Sequence, residues 1–263
     1  MRDAYGRVLR AAAVAAGGLL LAGCSSGGGG DEAKPSRGTP SASGTPTTSP
    51  TARAFTLDPK KAPRNVADAK RLALAIVAGP DDWGPDFVKR TPYLSAPGSW
   101  PVLDENCEWE VGTLPRSVLY SVTAYSEIPA AGGKGPLRVA ATVTVHRTAT
   151  DADWEMAETL EEALHCPDQQ LRQGERITDL QSLGVPYGSD ENLDTLMERG
   201  SYLNDAFRGP QAYSWYQLRI GQVSVAAVVK GAPGRTAAEG DDAQIRVSGA
   251  MQERAKNQLG AQS

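Results

Sequence analysis

Cys24, preceded by Leu21-Ala22-Gly23, has the most sharply defined chemistry of any residue in this chain. The quartet is a lipobox, the signal for attaching a lipid to a cysteine that becomes the new N-terminus. Arg2, Arg7 and Arg10 supply a positive region before an apolar run from Ala11 to Leu21. That run is about 11 residues long, whereas a bilayer core needs roughly 20. Small residues at Ala22 and Gly23 suit a peptidase that needs a narrow backbone before its cut. The expectation is an exported protein anchored by lipid to the extracytoplasmic face of the cell membrane. One acyl chain binds a bilayer only marginally, and a diacylglycerol group on Cys24 would supply the second.

Cys107 and Cys166 are the other two cysteines. In an oxidising compartment an even pair reads as a disulfide, here closing a loop of about 60 residues and contributing about 4 kcal/mol. Two buried thiols or a metal site are the alternatives. A metal would have to recruit His165, but adjacent side chains rarely point at one ion, so no metal and no cofactor is expected.

The remaining chemical candidates are sparse. His146 ends a strand pattern and His165 falls in a last helical turn, where a cation meets the helix dipole favourably. No Gly-x-Ser-x-Gly elbow is present to support a nucleophilic serine. Glu108 and Glu110 share one strand face and could in principle act as the paired carboxylates of a glycoside hydrolase. A solvated strand face explains them more simply. Asp190, Asn192 and Asp194 repeat the first half of a calcium loop, but Thr195 stands where glycine makes the sharp turn and Ser201 where a closing glutamate belongs. Trp109 and Trp154 fit core positions. Trp83, Trp100 and Trp215, with Tyr213 and Tyr216, could line either the core or a concave site for an apolar or sugar-like ligand.

Charge narrows the partners. The formal net charge is −4, and removal of residues 1–23 takes away three arginines and one aspartate, giving −6. Such a surface argues against nucleic acid and against a polybasic membrane patch.

The elements that must position these groups follow from periodicity. Residues 24–62, rich in Gly, Ser, Thr and Pro after Cys24, read as a disordered tether. A domain over 63–260 is large enough for a real core. A helix is expected over Val66–Ala78, stopped by Gly79-Pro80. Ser117–Ile128 and Leu137–Arg147 alternate as an antiparallel hairpin. Thr150 and Asp153 suggest a capping box for a helix ending at Cys166, with Trp154, Ala157, Leu160 and Leu164 inward and glutamates outward. Glu175–Leu183 is a weaker strand. Gly184–Pro210 reads as a long excursion with a helical turn at Leu193–Arg199. Tyr213–Ile220 and Gln222–Lys230 pair through Gly221, and a helix over Asp241–Leu259 closes the chain. Strand hairpins framed by helices predict an α+β domain with a central antiparallel sheet.

The order of these features resembles the extracellular sensor domain of PknH-type mycobacterial receptor kinases, a fold also found in free-standing actinobacterial lipoproteins. The Cys107-Glu108-Trp109-Glu110 strand, the hairpin through Val143 and the Thr150–Cys166 helix carry the likeness. So do the Glu175–Leu183 strand, the strands around Trp215 and Val225, and the Val247–Leu259 helix. It spans most of residues 64–260. The resemblance implies one α+β domain with a cleft for an unidentified small molecule or envelope component, and no catalytic residues. That family carries two disulfides where this chain has cysteines for one, and no kinase domain or transmembrane helix is expected here. A non-enzymatic surface lipoprotein with a ligand- or partner-binding domain is the leading expectation. A lipid or glycolipid carrier and a cell-wall hydrolase are the alternatives.

Overall fold

The structure, a computed structural model, describes residues 55–186 and 193–261. Cys24 and the segment before it therefore lie outside the described residues, as do Asp190 and Asn192. The domain reaches further back than the expected boundary at residue 63. Phe55 and Leu57 already pack on the core, and Leu57 bridges Gly260.

Among the described residues, four helices and ten strands follow in order. Helix α1 is Val66–Ile76 and α2 is the single turn Pro80–Trp83. Strand β1 is Val88–Leu94, β2 Ser99–Leu103, β3 Trp109–Thr113, β4 Val118–Ile128 and β5 Leu137–His146. Helix α3 is Ala149–His165. Then come β6 Gln169–Arg172, β7 Glu175–Pro186, β8 Leu193–Asn204, β9 Gln211–Ile220 and β10 Val223–Lys230. Helix α4 is Ala237–Leu259. Eight strands form one antiparallel sheet in the order β1-β4-β5-β10-β9-β8-β7-β6, while β2 and β3 form a separate ribbon. The α+β expectation holds.

One sheet face is apolar. Val139, Ala141, Val143 and Val145 of β5 alternate inward beside Val223, Val225, Ala227 and Val229 of β10. Helices α1 and α4 cover this face with Ala69, Ala73 and Ile76, and with Val247, Met251, Ala255 and Leu259. Trp83 is fully buried against Phe87, so the most enclosed tryptophan is one that periodicity left undecided.

Turn chemistry holds the β9–β10 hairpin. Gly221 has φ +57°, and a Cβ there would sit 2.8 Å from Leu57 Cδ1. Gly221→Ala is expected to cost about 1–2 kcal/mol through the left-handed backbone alone, read as a lowered urea midpoint with an unchanged m-value.

Three expectations are corrected. Leu193–Arg199 is not helical; it opens β8, paired to β7 on one side and β9 on the other. Its Leu, Met, Glu and Arg favour helix locally, but two long-range ladders override that preference. Helix α3 is capped by Thr148 and Asp151 rather than Thr150 and Asp153. Its inward residues are Ala152, Met156 and Ala163, while Trp154 and Leu164 are 65% and 71% exposed. The helix is rotated from the expected orientation because the sheet surface beneath it is polar, so small residues and Glu155 turn inward instead of the bulky apolar ones. Finally, the Cys107-Glu108-Trp109-Glu110 segment is not a strand throughout, since β3 begins only at Trp109. Cys107 is a turn residue with φ 63°, Trp109 is half-buried, and Val111 is exposed on the ribbon.

Candidate functional site

The second sheet face is concave. Arg138 on β5 and Glu175 on β7 are separated by β10, β9 and β8 in the strand order. At about 4.8 Å per strand a flat sheet would hold them about 19 Å apart. Yet Arg138 Nη1 lies 3.4 Å from Glu175 Oε1, and Lys230 Nζ on β10 lies 3.5 Å from Glu175 Oε2. Two extended side chains cannot span the flat distance, so the sheet curls around this face.

The period-two register sets which residues line it. One row crosses the sheet as Ser121, Thr144, Ser224, Arg219 and Asp194. The next contains Thr123, Thr142, Ala226, Gln217 and Leu196, and the third Tyr125, Ala140, Val228, Trp215 and Glu198. Hydroxyls, amides and charges dominate. Ser121 and Thr144 hydrogen-bond across strands at 3.0 Å, as do Thr123 and Thr142 at 2.9 Å. A small apolar cluster of Ile177, Leu180, Tyr202 and Tyr213 with Ala163 of α3 occupies the β7–β8 side.

Helix α3 lies across this concavity and is fixed by polar contacts. Arg219, 3% exposed, is clamped between Asp153 of α3 at 2.6 Å and Asp194 of β8 at 2.8 Å. Asp194 is thus an ion-pair partner, while Asp190 and Asn192 of the calcium-like spacing lie outside the described residues. His146 Nε2 donates to Glu155 Oε2 at 2.9 Å, and Ser224 donates to the same oxygen. The carboxylate stands between serine and imidazole, so the hydroxyl is paired with Glu155 and no direct serine–histidine pair forms. Chemically the trio is a helix-docking contact.

The ribbon β2–β3 supplies the second cover. It leaves the sheet between β1 and β4 at one edge, and its turn is fastened beside β6 at the other. The fastening consists of the Cys107–Cys166 disulfide, the Gln170 N–H donating to Cys107 O at 2.8 Å, and Trp109 Nε1 donating to Gln169 Oε1 at 2.8 Å. Cys166 is the C-cap of α3, so one covalent bond joins ribbon and helix. Between them opens a groove of about 510 Å³ bordered by the disulfide, Asp104, Glu105, Glu158, Glu161, Glu162 and His165. Glu108 and Glu110 are exposed on the ribbon and do not line it.

Electrostatics divides the face into two ends. Near the groove, burial pushes the carboxyls of Glu162 and Glu198 up to about 7, with Glu158 and Glu155 adding to the first and Glu162 to the second. Burial likewise pushes the Tyr213 phenol up. At the other end, Glu175 is almost enclosed by Arg138, Arg172 and Lys230. Burial opposes its ionisation, but the Arg172 hydrogen bond and the Lys230 charge prevail and hold its carboxyl below the usual range. Burial pushes the Lys230 ammonium down.

Several buried polar atoms on this face have no hydrogen-bond partner within the protein: His146 Nδ1, Glu198 Oε1, Trp215 Nε1 and Gln217 Oε1. Each such atom costs on the order of 1–3 kcal/mol unless something outside the chain satisfies it. Among the described residues, no three His, Cys, Asp or Glu side chains gather in a metal-holding group, and no helix is long and apolar enough to cross a membrane. Sequence reasoning found the Cys107–Cys166 bond but missed Arg138, Glu175, Glu198 and Lys230. Their chemistry exists only once the curled sheet brings distant strands together, although charged residues within strand patterns were a usable signal. No protein-family model matches this chain, and no curated protein matches it.

Proposed function

We propose that this is a lipid-anchored, extracytoplasmic binding protein without catalytic activity, whose concave sheet face holds a polar, charged small molecule or the polar part of an envelope component. The observation that carries the reading is the set of buried, unpartnered polar atoms on a concave face that helix and ribbon partly cover. Folding gains nothing from such atoms, whereas a ligand with matching donors and acceptors would. The resemblance to PknH-type sensor domains supports the same reading. A lipid or glycolipid carrier would need an apolar cavity, and this face is rich in hydroxyls and charges. A carboxylate hydrolase is supported less, since Glu108 and Glu110 stand apart from the groove.

Native mass spectrometry of the full chain purified without harsh washing is the test. A polar adduct is expected, and it should be lost or weakened by about tenfold in Gln217→Leu, which removes one hydrogen-bonding group from the face. A chain that carries no adduct and shows no change in Trp215 emission with envelope extracts would overturn the reading. The anchor is tested separately: Cys24→Ser should leave the protein out of the membrane fraction, and unchanged membrane recovery would remove the lipid from the proposal.

A further inference from the structure

We propose that the cationic end of the concave face is an oxyanion subsite, in which Arg138 and Lys230 hold a carboxylate or phosphate group of the ligand. This rests on the concave face being the binding cleft and names the chemistry of one end of it.

The argument begins with register. Arg138 and Lys230 are direct partners across β5 and β10, and like charges placed opposite one another repel. The Tyr202 ring beneath Lys230 and the Tyr125 ring beneath Arg90 ease that arrangement in part, but opposite charge is needed to balance it and the cluster holds too little. Four cations meet here, Arg90, Arg138, Arg172 and Lys230, and two carboxylates serve them, Glu127 and Glu175. Two positive charges remain over, in a chain whose formal charge is −4.

Geometry shows the same shortfall. Apart from Arg172, which holds Glu175 closely, the contacts are long: 3.4 Å and 3.7 Å from Arg138, 3.5 Å from Lys230 and 3.5 Å from Arg90. Arg138 Nε is buried without a hydrogen-bond partner, although a guanidinium offers five donors in a fork that matches an oxyanion. The Arg138 and Lys230 side chains are 29% and 26% exposed. They are therefore open enough for a ligand to touch and dry enough for the contact to count. Next to them Tyr125, Ala140 and Val228 lie side by side across three strands, a floor for the less polar body of the same ligand. The acidic groove, in contrast, offers no cation to an anionic group beyond His165.

The full chain is titrated separately with inorganic phosphate and with succinate, at ionic strength fixed with sodium chloride, and followed by calorimetry and by amide chemical shifts. Saturable one-to-one binding of at least one oxyanion is expected, with shifts centred on β5 and β10. The arm that binds distinguishes phosphate from carboxylate. Arg138→Gln and Lys230→Met should each weaken it about tenfold or more. Should either variant fail to fold, Arg90→Gln, which pairs with Glu127 and lies over the Tyr125 ring, should still weaken binding severalfold. No saturable binding of either oxyanion, or equal binding by every folded variant, overturns the subsite. A co-purified ligand lacking any acidic group, retained by Arg138→Gln, would also overturn it while leaving the cleft itself intact.

Discussion

Replacing Cys107 and Cys166 together with alanine is expected to lower the unfolding free energy by about 4 kcal/mol, because the bond closes a long loop. The loss should also be local. Ribbon β2–β3 buries little of its own apolar surface; Val102 and Val111 are 43% and 84% exposed. Without the bond, its turn is held to β6 by the Gln170–Cys107 and Trp109–Gln169 hydrogen bonds and the Glu108–Gln170 bridge. Such contacts contribute about 1 kcal/mol each. Amide exchange should therefore rise most across Ser99–Thr113 and at the last turn of α3, while β5 and β10 keep the protection of the global core. Urea unfolding of the double variant measures the first effect, and hydrogen exchange the second. An unchanged midpoint would mean that the ribbon is carried by packing that its exposure does not suggest.

The sequence made one side of this molecule legible and left the other obscure, for a physical reason. Val139, Val143, Val223 and Val225 alternate so regularly that their face had to meet an apolar partner, and Val247, Met251 and Leu259 had the helical spacing to be that partner. Local pattern and tertiary packing agree there. On the concave side they do not. Trp154 and Leu164 look like core residues of α3, yet the surface below them offers Ser224, Arg219 and Glu198, and the helix docks with Glu155 and Asp153 instead. Leu193–Arg199 misled for a related reason, since its strand character comes from β7 and β9 rather than from its own residues. Arg138 and Glu175 are 37 residues apart and four strands apart, and no periodicity announces that they meet. The cysteine pair was legible because, with Cys24 set aside, two cysteines leave a single possible pairing. A polar face built from isolated charges on separate strands needs the curl of the sheet.

That buried acidity should make the protein less stable as pH rises through neutrality. Glu198 is 5% exposed beneath α3, and burial pushes its carboxyl from the ordinary 4.5 up to about 7; the nearby Glu162 is pushed up to about 7 as well. The folded state therefore binds more protons than the unfolded chain between these values, and stability falls as pH increases across them. The contribution is complete below about pH 4.5 and lost above about 7. At 1.36 kcal/mol for each pH unit between the two pKa values, Glu198 alone accounts for about 3 kcal/mol. Glu162 adds less than the same again, because it is more exposed and its proton depends on that of its neighbour. Urea titrations between pH 5 and pH 8 should show the decline. Glu198→Gln, which keeps the shape without the charge, should flatten most of it and leave the variant about 2–3 kcal/mol more stable than the parent at pH 8. A parent and variant with equal slopes would place the pH dependence elsewhere. Retaining a carboxylate that destabilises the docked helix at neutral pH makes structural sense if a ligand group or a proton meets it there, which links this titration to the polar occupancy of the concave face.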